Sequence, residues 1–296
     1  PRATPTVDGD RIVTLAPKGE LVAVERTTGR LLWARHLPRQ FGGQIPKWGY
    51  SASPLVAEGR VYVDVGGHDG HGVVAFSRDD GRVLWRTGTY KAGYSSPVQL
   101  TLAGTPQIVF FTGKGVVSTR PSDGHVLWEA PWQISYDVSA ATPVHVPPSA
   151  VFIAAGYAVG GTLYDVAGRG AKLKAAARWQ TRRMRNKMAT SILIGDHLYG
   201  FDEERLTALS AATGKVVWQK ESFGRGSLIA AGDQLIVLGE DCRLVLVRAS
   251  PKGYSPLASP AKVFDTDRCW TVPALANGVL YVRDLKTMKA LTMAAR

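Results

Sequence analysis

Four groups of residues in this 296-residue chain have types and spacings that could do chemistry. His68-Asp69-Gly70-His71 sets two imidazoles three residues apart beside a carboxylate, a metal-ligand spacing. No third ligand is identifiable, so the segment reads as a solvated Gly-rich loop and no metal site is assigned. Cys242 and Cys269 stand 27 residues apart. Two thiols exclude a four-thiolate zinc centre and a disulfide scaffold. The third group recurs just before apolar strands. It comprises Arg2, Lys47-Trp48-Gly49-Tyr50, Lys91-Ala92-Gly93-Tyr94, Tyr136-Asp137, Arg185-Asn186-Lys187, Phe223-Gly224-Arg225 and Arg268-Cys269-Trp270. Six of these seven stretches hold a cation. Cations beside aromatics can hold an anionic or sugar-like ligand by charge-assisted hydrogen bonds and ring stacking. The ligand-binding candidates are therefore Lys47, Trp48, Tyr50, Lys91, Tyr94, Tyr136, Asp137, Asn186, Lys187, Arg225, Arg268 and Trp270. The alternative is that exposed cations on loops are ordinary and the aromatics only cap the core.

The fourth group is a basic run. Between Asp165 and Asp196 there is no acid and there are eight bases. Lys172, Lys174, Arg178, Arg182, Arg183 and Arg185 form its core, flanked by Arg169 and Lys187. Such a block suits an anionic surface, or it is a solvated rim. Trp179 is its only aromatic, which argues against stacked or sequence-specific nucleic-acid recognition. No Ser-His-Asp constellation can be argued from the scatter of serines, so no catalytic residue is assigned.

The elements that must carry these groups follow from composition and repeats. Lys and Arg number 36 against 24 Asp and Glu, a formal charge of +12, and 45% of residues are hydrophobic. That content excludes disorder, and no apolar run approaches the ~20 residues of a membrane-spanning helix. A period of roughly 40 residues runs through the chain, the length of a four-stranded propeller blade. Its first signature is an apolar strand, a polar turn with Gly, two apolar residues and Trp: LVAVERTTGRLLW, VVAFSRDDGRVLW, VVSTRPSDGHVLW and LTALSAATGKVVW, ending at Trp33, Trp85, Trp128 and Trp218. Gly29, Gly81, Gly124 and Gly214 each lie four residues earlier, where a hairpin needs positive φ. A Trp at one fixed place predicts a ring buried between neighbouring units. The second signature is a strand, a Gly turn and a strand, as in SPLVAEGRVYV from Ser53, SILIGDHLYG from Ser191 and VPALANGVLYV from Val272.

Tiling predicts one all-β domain over 1–296, with seven four-stranded antiparallel units at 1–40, 46–90, 91–132, 136–181, 185–223, 224–265 and 268–296. The seventh stops after three strands. No helix is predicted, and AKLKAAARW is assigned to the fourth unit's last strand. In such units Cys242 lies between strands two and three of unit six, and Cys269 just before strand one of unit seven. Those loops share one face, so the two are either a disulfide or two partly buried free thiols. The chain starts at Pro1 without a leader pattern. It is read as a fragment whose N-terminal closing strand, with an eighth blade, lies upstream, the alternative being a true seven-bladed ring with a three-stranded last blade.

These signatures resemble the PQQ-like, quinoprotein-type β-propeller repeat of quinoprotein alcohol dehydrogenases and of BamB, a scaffold of bacterial outer-membrane protein assembly. WGYSASPLV, AGYSSPV and FGRGSL are similar to PQQ-binding-like repeat proteins. The resemblance implies a non-enzymatic binding or scaffold propeller, monomeric, with a protein partner or small anionic or sugar-like ligand. It implies a location outside the cytoplasm: periplasmic, secreted or membrane-anchored. The alternative it carries is a PQQ- and calcium-dependent alcohol or sugar dehydrogenase. Family dehydrogenases place PQQ under a disulfide of adjacent cysteines, which this chain lacks, so no cofactor is assigned. A third reading is a ligand-sensing propeller within a larger protein.

Overall fold

The computed structural model describes residues 3–132, 134–221 and 223–293, so Arg2 lies outside the described residues. The alternating apolar stretches form strands in seven antiparallel sheets. The first sheet holds β1 (Thr6–Asp8), β2 (Arg11–Leu15), β3 (Glu20–Glu25) and β4 (Leu31–His36), and runs into α1 (Leu37–Phe41). The second holds β5 (Leu55–Ala57), β6 (Arg60–Asp64), β7 (Val73–Ser77) and β8 (Val83–Thr87). In the third are β9 (Val98–Leu102), β10 (Thr105–Thr112), β11 (Gly115–Thr119) and β12 (Val126–Pro131). The fourth comprises β13 (Val144–Val146), β14 (Ala150–Ala155), β15 (Gly160–Ala167) and β16 (Lys174–Thr181). The fifth comprises β17 (Ile192–Ile194), β18 (His197–Asp202), β19 (Arg205–Ser210) and β20 (Val216–Lys220). The sixth has β21 (Ser227–Ala231), β22 (Gln234–Leu238), β23 (Arg243–Arg248), β24 (Ser255–Pro256) and β25 (Ala261–Lys262). The seventh has β26 (Ala274–Ala276), β27 (Val279–Arg283) and β28 (Met288–Thr292). Apart from β25, the strands of each sheet pair in chain order, which makes the fold a seven-bladed propeller.

Two details differ in kind from the sequence expectation. A helix does form at Leu37–Phe41, which the strand pattern did not predict. Pro38 sits in its first turn, the His36 side chain accepts from the Arg39 N–H, and Gly42 ends it at φ 65°. In the sixth blade the fourth-strand position is split, because β24 and β25 pair separately with β23. Pro256 and Pro260 offer no N–H to a continuous ladder. The assignment of AKLKAAARW holds for its second half, which lies in β16 after a short 3-10 turn at Gly170–Lys172. Among the described residues the seventh blade has three strands.

The chain divides into two compact units: Pro1–Ile153 with Tyr164–Ala177, and Ala154–Leu163 with Arg178–Arg296. The first unit buries Val13, Leu21, Val61, Val74 and Phe76 in one cluster. The second buries Tyr199, Phe201, Leu206, Leu235 and Val247.

Inside each unit the repeated Trp joins successive blades. The Trp33 indole N–H donates to the Arg78 carbonyl at 2.8 Å, and Trp85 donates to Pro121 at 2.9 Å. In the second unit Trp179 donates to Ala211 at 2.9 Å and Trp218 to Ser250 at 2.7 Å. Every acceptor lies three residues before a turn Gly of the following blade. Three of these glycines lie against the preceding ring. A Cβ at Gly81 would stand 2.6 Å from Trp33, at Gly124 2.4 Å from Trp85, and at Gly214 2.5 Å from Trp179. Trp128 is the exception and donates to the Gln107 side chain of its own blade. The fourth blade lacks the Asp-Gly turn that would receive it.

Candidate functional site

A four-stranded meander puts its lead-in loop and its second-to-third-strand loop at one end and its two Gly turns at the other. The predicted binding residues lie on the lead-in loops, and each unit presents its own set.

In the first unit three successive lead-in loops meet. The Lys47 ammonium lies 5.2 Å from the Trp48 ring centre and 5.6 Å from that of Tyr136. Trp48 and Tyr94 rings are 5.8 Å apart, and the Trp48 N–H donates to the Tyr94 hydroxyl at 3.3 Å. Lys91 pairs with Asp137 at 3.0 Å. Trp48 is 37% and Tyr136 66% exposed, so the cluster faces solvent. The loops are held from behind. Gly93 fits because any Cβ would strike the Ser139 hydroxyl and the Phe111 carbonyl. Its N–H donates to Asp64 Oδ2 at 2.8 Å. Asp64 ends β6 fully buried, and its Oδ1 has no hydrogen-bond partner. Burial pushes its carboxyl up to about 7, against the opposing Gly93 bond. Tyr50 is not a lining residue. It is 1% exposed and its hydroxyl donates to the Val65 carbonyl. Burial also raises its pKa.

In the second unit the Lys187 ammonium lies 4.8 Å from the Tyr157 ring centre. Asn186 turns inward: it is buried, donates to the Phe201 carbonyl and accepts from Ser191. Glu240 organises two other lead-in loops. It accepts from the Arg225 N–H at 3.0 Å and from the Trp270 indole at 2.7 Å, while its carbonyl receives the Cys269 N–H. Arg268 lies over Trp270 at 5.8 Å, and Trp270 is 44% exposed. Cys242 and Cys269 are joined by a disulfide with Cα atoms 5.1 Å apart, which ties the β22–β23 loop to the loop before β26.

The basic run is divided. Lys172 and Lys174 fall in the first unit, and Arg178, Arg182, Arg183 and Arg185 in the second. Arg185 is not a free cation. Its Nε and backbone N–H both bond Asp202 Oδ1, at 2.5 and 3.1 Å, with Arg183 3.8 Å from the other oxygen. Burial opposes ionisation of Asp202, but the Arg185 hydrogen bonds and charge outweigh it and hold the carboxyl below its usual value. A cleft of about 620 Å³ opens beside this pair, lined by Arg185, Asp202, Glu203, Glu204, Arg205 and Glu221. In the His68–His71 loop, His68 contacts Asp69 and His71 contacts Arg86. Among the described residues no group of three or more His, Cys, Asp or Glu could hold a metal ion.

Sequence reasoning missed Asp64, Asp202 and Glu240, the acids that fix the lead-in loops. A signal was present. Each ends a second strand or follows it closely, in VYVD, YGFD and VLGE.

Meander blades locked by Trp on Gly turns, with loop clusters at the opposite end, define a quinoprotein-type repeat propeller. The family model for outer membrane protein assembly factor BamB matches residues 1–220, and the chain belongs to this family. No curated protein matches it in sequence. Among solved structures it is similar to BamB from Moraxella catarrhalis, with TM-score 0.68 and 15% identity over 96% of this chain and 82% of that one. It is also similar to the computationally designed Ika8 protein, with TM-score 0.65 and 10% identity over 98% and 82%. The C-terminal WD40 domain of Sif2 follows with TM-score 0.63 and 12% identity over 97% and 80%. At these identities the likeness is one of fold. No helix among the described residues is long and apolar enough to cross a membrane.

Proposed function

We propose that the chain is a non-enzymatic binding propeller of the bacterial cell envelope that engages a protein partner. The cluster of Lys47, Trp48, Tyr94 and Tyr136 is its contact surface. The observation that carries this reading is the convergence of three lead-in loops into an exposed aromatic group with an ammonium between two rings. Trp and Tyr held rigid on a surface, with cations at hand, are the residue types that dominate protein interfaces. Membership of a family described as an outer membrane protein assembly factor supports the location and the kind of partner.

Amine-reactive cross-linking in a bacterial envelope fraction tests it. Adducts to one partner are expected at Lys47 and Lys91, and Trp48→Ala with Tyr136→Ala should reduce them at least tenfold. Adducts unaffected by the double variant would refute this surface. Dye-linked alcohol oxidation on adding PQQ and calcium would overturn the non-enzymatic reading.

A further inference from the structure

Two buried acids, Asp64 at the end of β6 and Asp202 at the end of β18, meet different surroundings. The Arg185 backbone N–H and guanidinium both bond one oxygen of Asp202, and the Gln219 amide bonds the other at 3.2 Å. A cation and several donors stand in for the water that burial removed, so Asp202 keeps its charge. Asp64 is buried as deeply and has far less. The Gly93 N–H reaches Oδ2, and no protein group bonds Oδ1. Among the described residues no cation pairs with it. A carboxyl so placed is stable when neutral, or when ionised only after gaining donors.

Gly93 lies in the loop that carries Lys91 and Tyr94, and this loop is wedged in place. A Cβ at Gly93 would lie 2.0 Å from the Ser139 hydroxyl, and one at Gly66 2.5 Å from the Ala92 nitrogen. The Lys91 carbonyl accepts from the Gly113 N–H at 2.8 Å, and the Tyr94 N–H donates to the Ser139 carbonyl at 3.0 Å. Ser139 shares its loop with Tyr136 and Asp137, and the Tyr94 hydroxyl receives the Trp48 N–H. Of these bonds, the one from Gly93 to Asp64 has an acceptor that titrates. The other charges on the surrounding loops act elsewhere. Lys91 pairs with Asp137, and on the β6–β7 loop His68 contacts Asp69 and His71 contacts Arg86. Lys114, next to Gly113, is exposed. The Tyr50 phenol feels the Asp64 charge, and burial together with that charge keeps the phenol neutral.

We propose that Asp64 is a proton-operated positioning residue for the aromatic cluster: neutral, it holds the Gly93 loop closed, and ionised, it draws that loop open. Below a pH of about 7 the folded carboxyl is protonated and needs no further donor. Above it the charge gains water only where the Gly93 loop lifts. The Tyr94 links to Ser139 and to Trp48 carry that movement into the cluster. The cluster is ordered in mildly acidic surroundings and loosened in alkaline ones. As regulation of binding this rests on the contact surface proposed above, but loop order is measurable without a partner, so the two fail separately.

Amide hydrogen exchange of the 296-residue chain, read by mass spectrometry on peptides spanning 91–94, tests it. Rates at about pH 5.5 and about pH 8.5 are compared after correction for the intrinsic pH dependence of exchange. Where the opened loop restores an ordinary carboxyl, each pH unit above the midpoint favours opening about tenfold. Protection of 91–94 should therefore fall at least about tenfold between the two conditions, while that of β10 and β11 holds. Asp64→Asn, which keeps an acceptor for Gly93 without the charge, should stay protected in both. Asp64→Leu, which removes the acceptor, should be unprotected in both; if it fails to fold, the parent and Asp64→Asn decide. Equal protection of the parent in the two conditions overturns the proposal. So does a fall that persists in Asp64→Asn, which assigns the titration to another group, and so does full protection in a folded Asp64→Leu.

Discussion

Gly29 and Gly124 occupy the same turn position with φ of 72° and 73°, yet their surroundings differ. A Cβ at Gly29 would meet nothing within 4 Å, whereas at Gly124 it would lie 2.4 Å from the Trp85 ring. Gly29→Ala thus reports the left-handed backbone alone, about 1 kcal/mol. Gly124→Ala adds a steric penalty. The new methyl would sit about 1 Å inside ordinary contact with a ring that is 7% exposed and anchored on Pro121. Displacing a packed ring costs about 1–3 kcal/mol, and losing its hydrogen bond about 1 kcal/mol more. Gly124→Ala should therefore destabilise by about 3–5 kcal/mol, and Gly29→Ala by about 1. Urea unfolding of both variants, followed by circular dichroism and by Trp fluorescence, measures the difference. Equal losses, within about 0.5 kcal/mol, would refute the claim that the Trp couples one blade to the next turn.

Asp64 gives a pH signature. Its unfolded value is 3.8 and burial raises the folded value to about 7, so the folded state holds an extra proton between them. Stability should fall as pH rises through that window, by about 4 kcal/mol from this group. Asp64→Asn should remove that part of the slope, and parallel urea-midpoint profiles of variant and parent from pH 4.5 to 8 would contradict it. Opening the Cys242–Cys269 loop of 27 residues should destabilise by about 3.5 kcal/mol on chain-entropy grounds. The measurement is the melting temperature of the double Cys→Ala variant against the parent; no change would show that the loops hold without the cross-link.

The blades were legible because their determinants are local. An Asp-Gly or Thr-Gly turn and alternating apolar residues act over a dozen positions, and each unit repeats them. Residues such as Tyr50 and Asn186 were misplaced for a different reason. Both sit in lead-in loops of the right composition, but their orientation depends on acceptors 15 residues later, the Val65 and Phe201 carbonyls. Arg185 belongs to the basic run by composition, but its partner Asp202 lies across a hairpin, 17 residues on, beyond the reach of local pattern. The helix at Leu37–Phe41 was hidden by its length, since five residues give no periodicity, although Pro38 and Gly42 mark its ends.

The Trp-to-turn links have an evolutionary consequence. They lie at the end of the blades remote from the lead-in loops, so those loops can lengthen, shorten or change charge without touching the joints. Trp128 shows that a joint tolerates rerouting as well, since its indole found Gln107 where the following turn had changed shape. Innovation at one rim and permanence at the other can thus proceed on separate clocks.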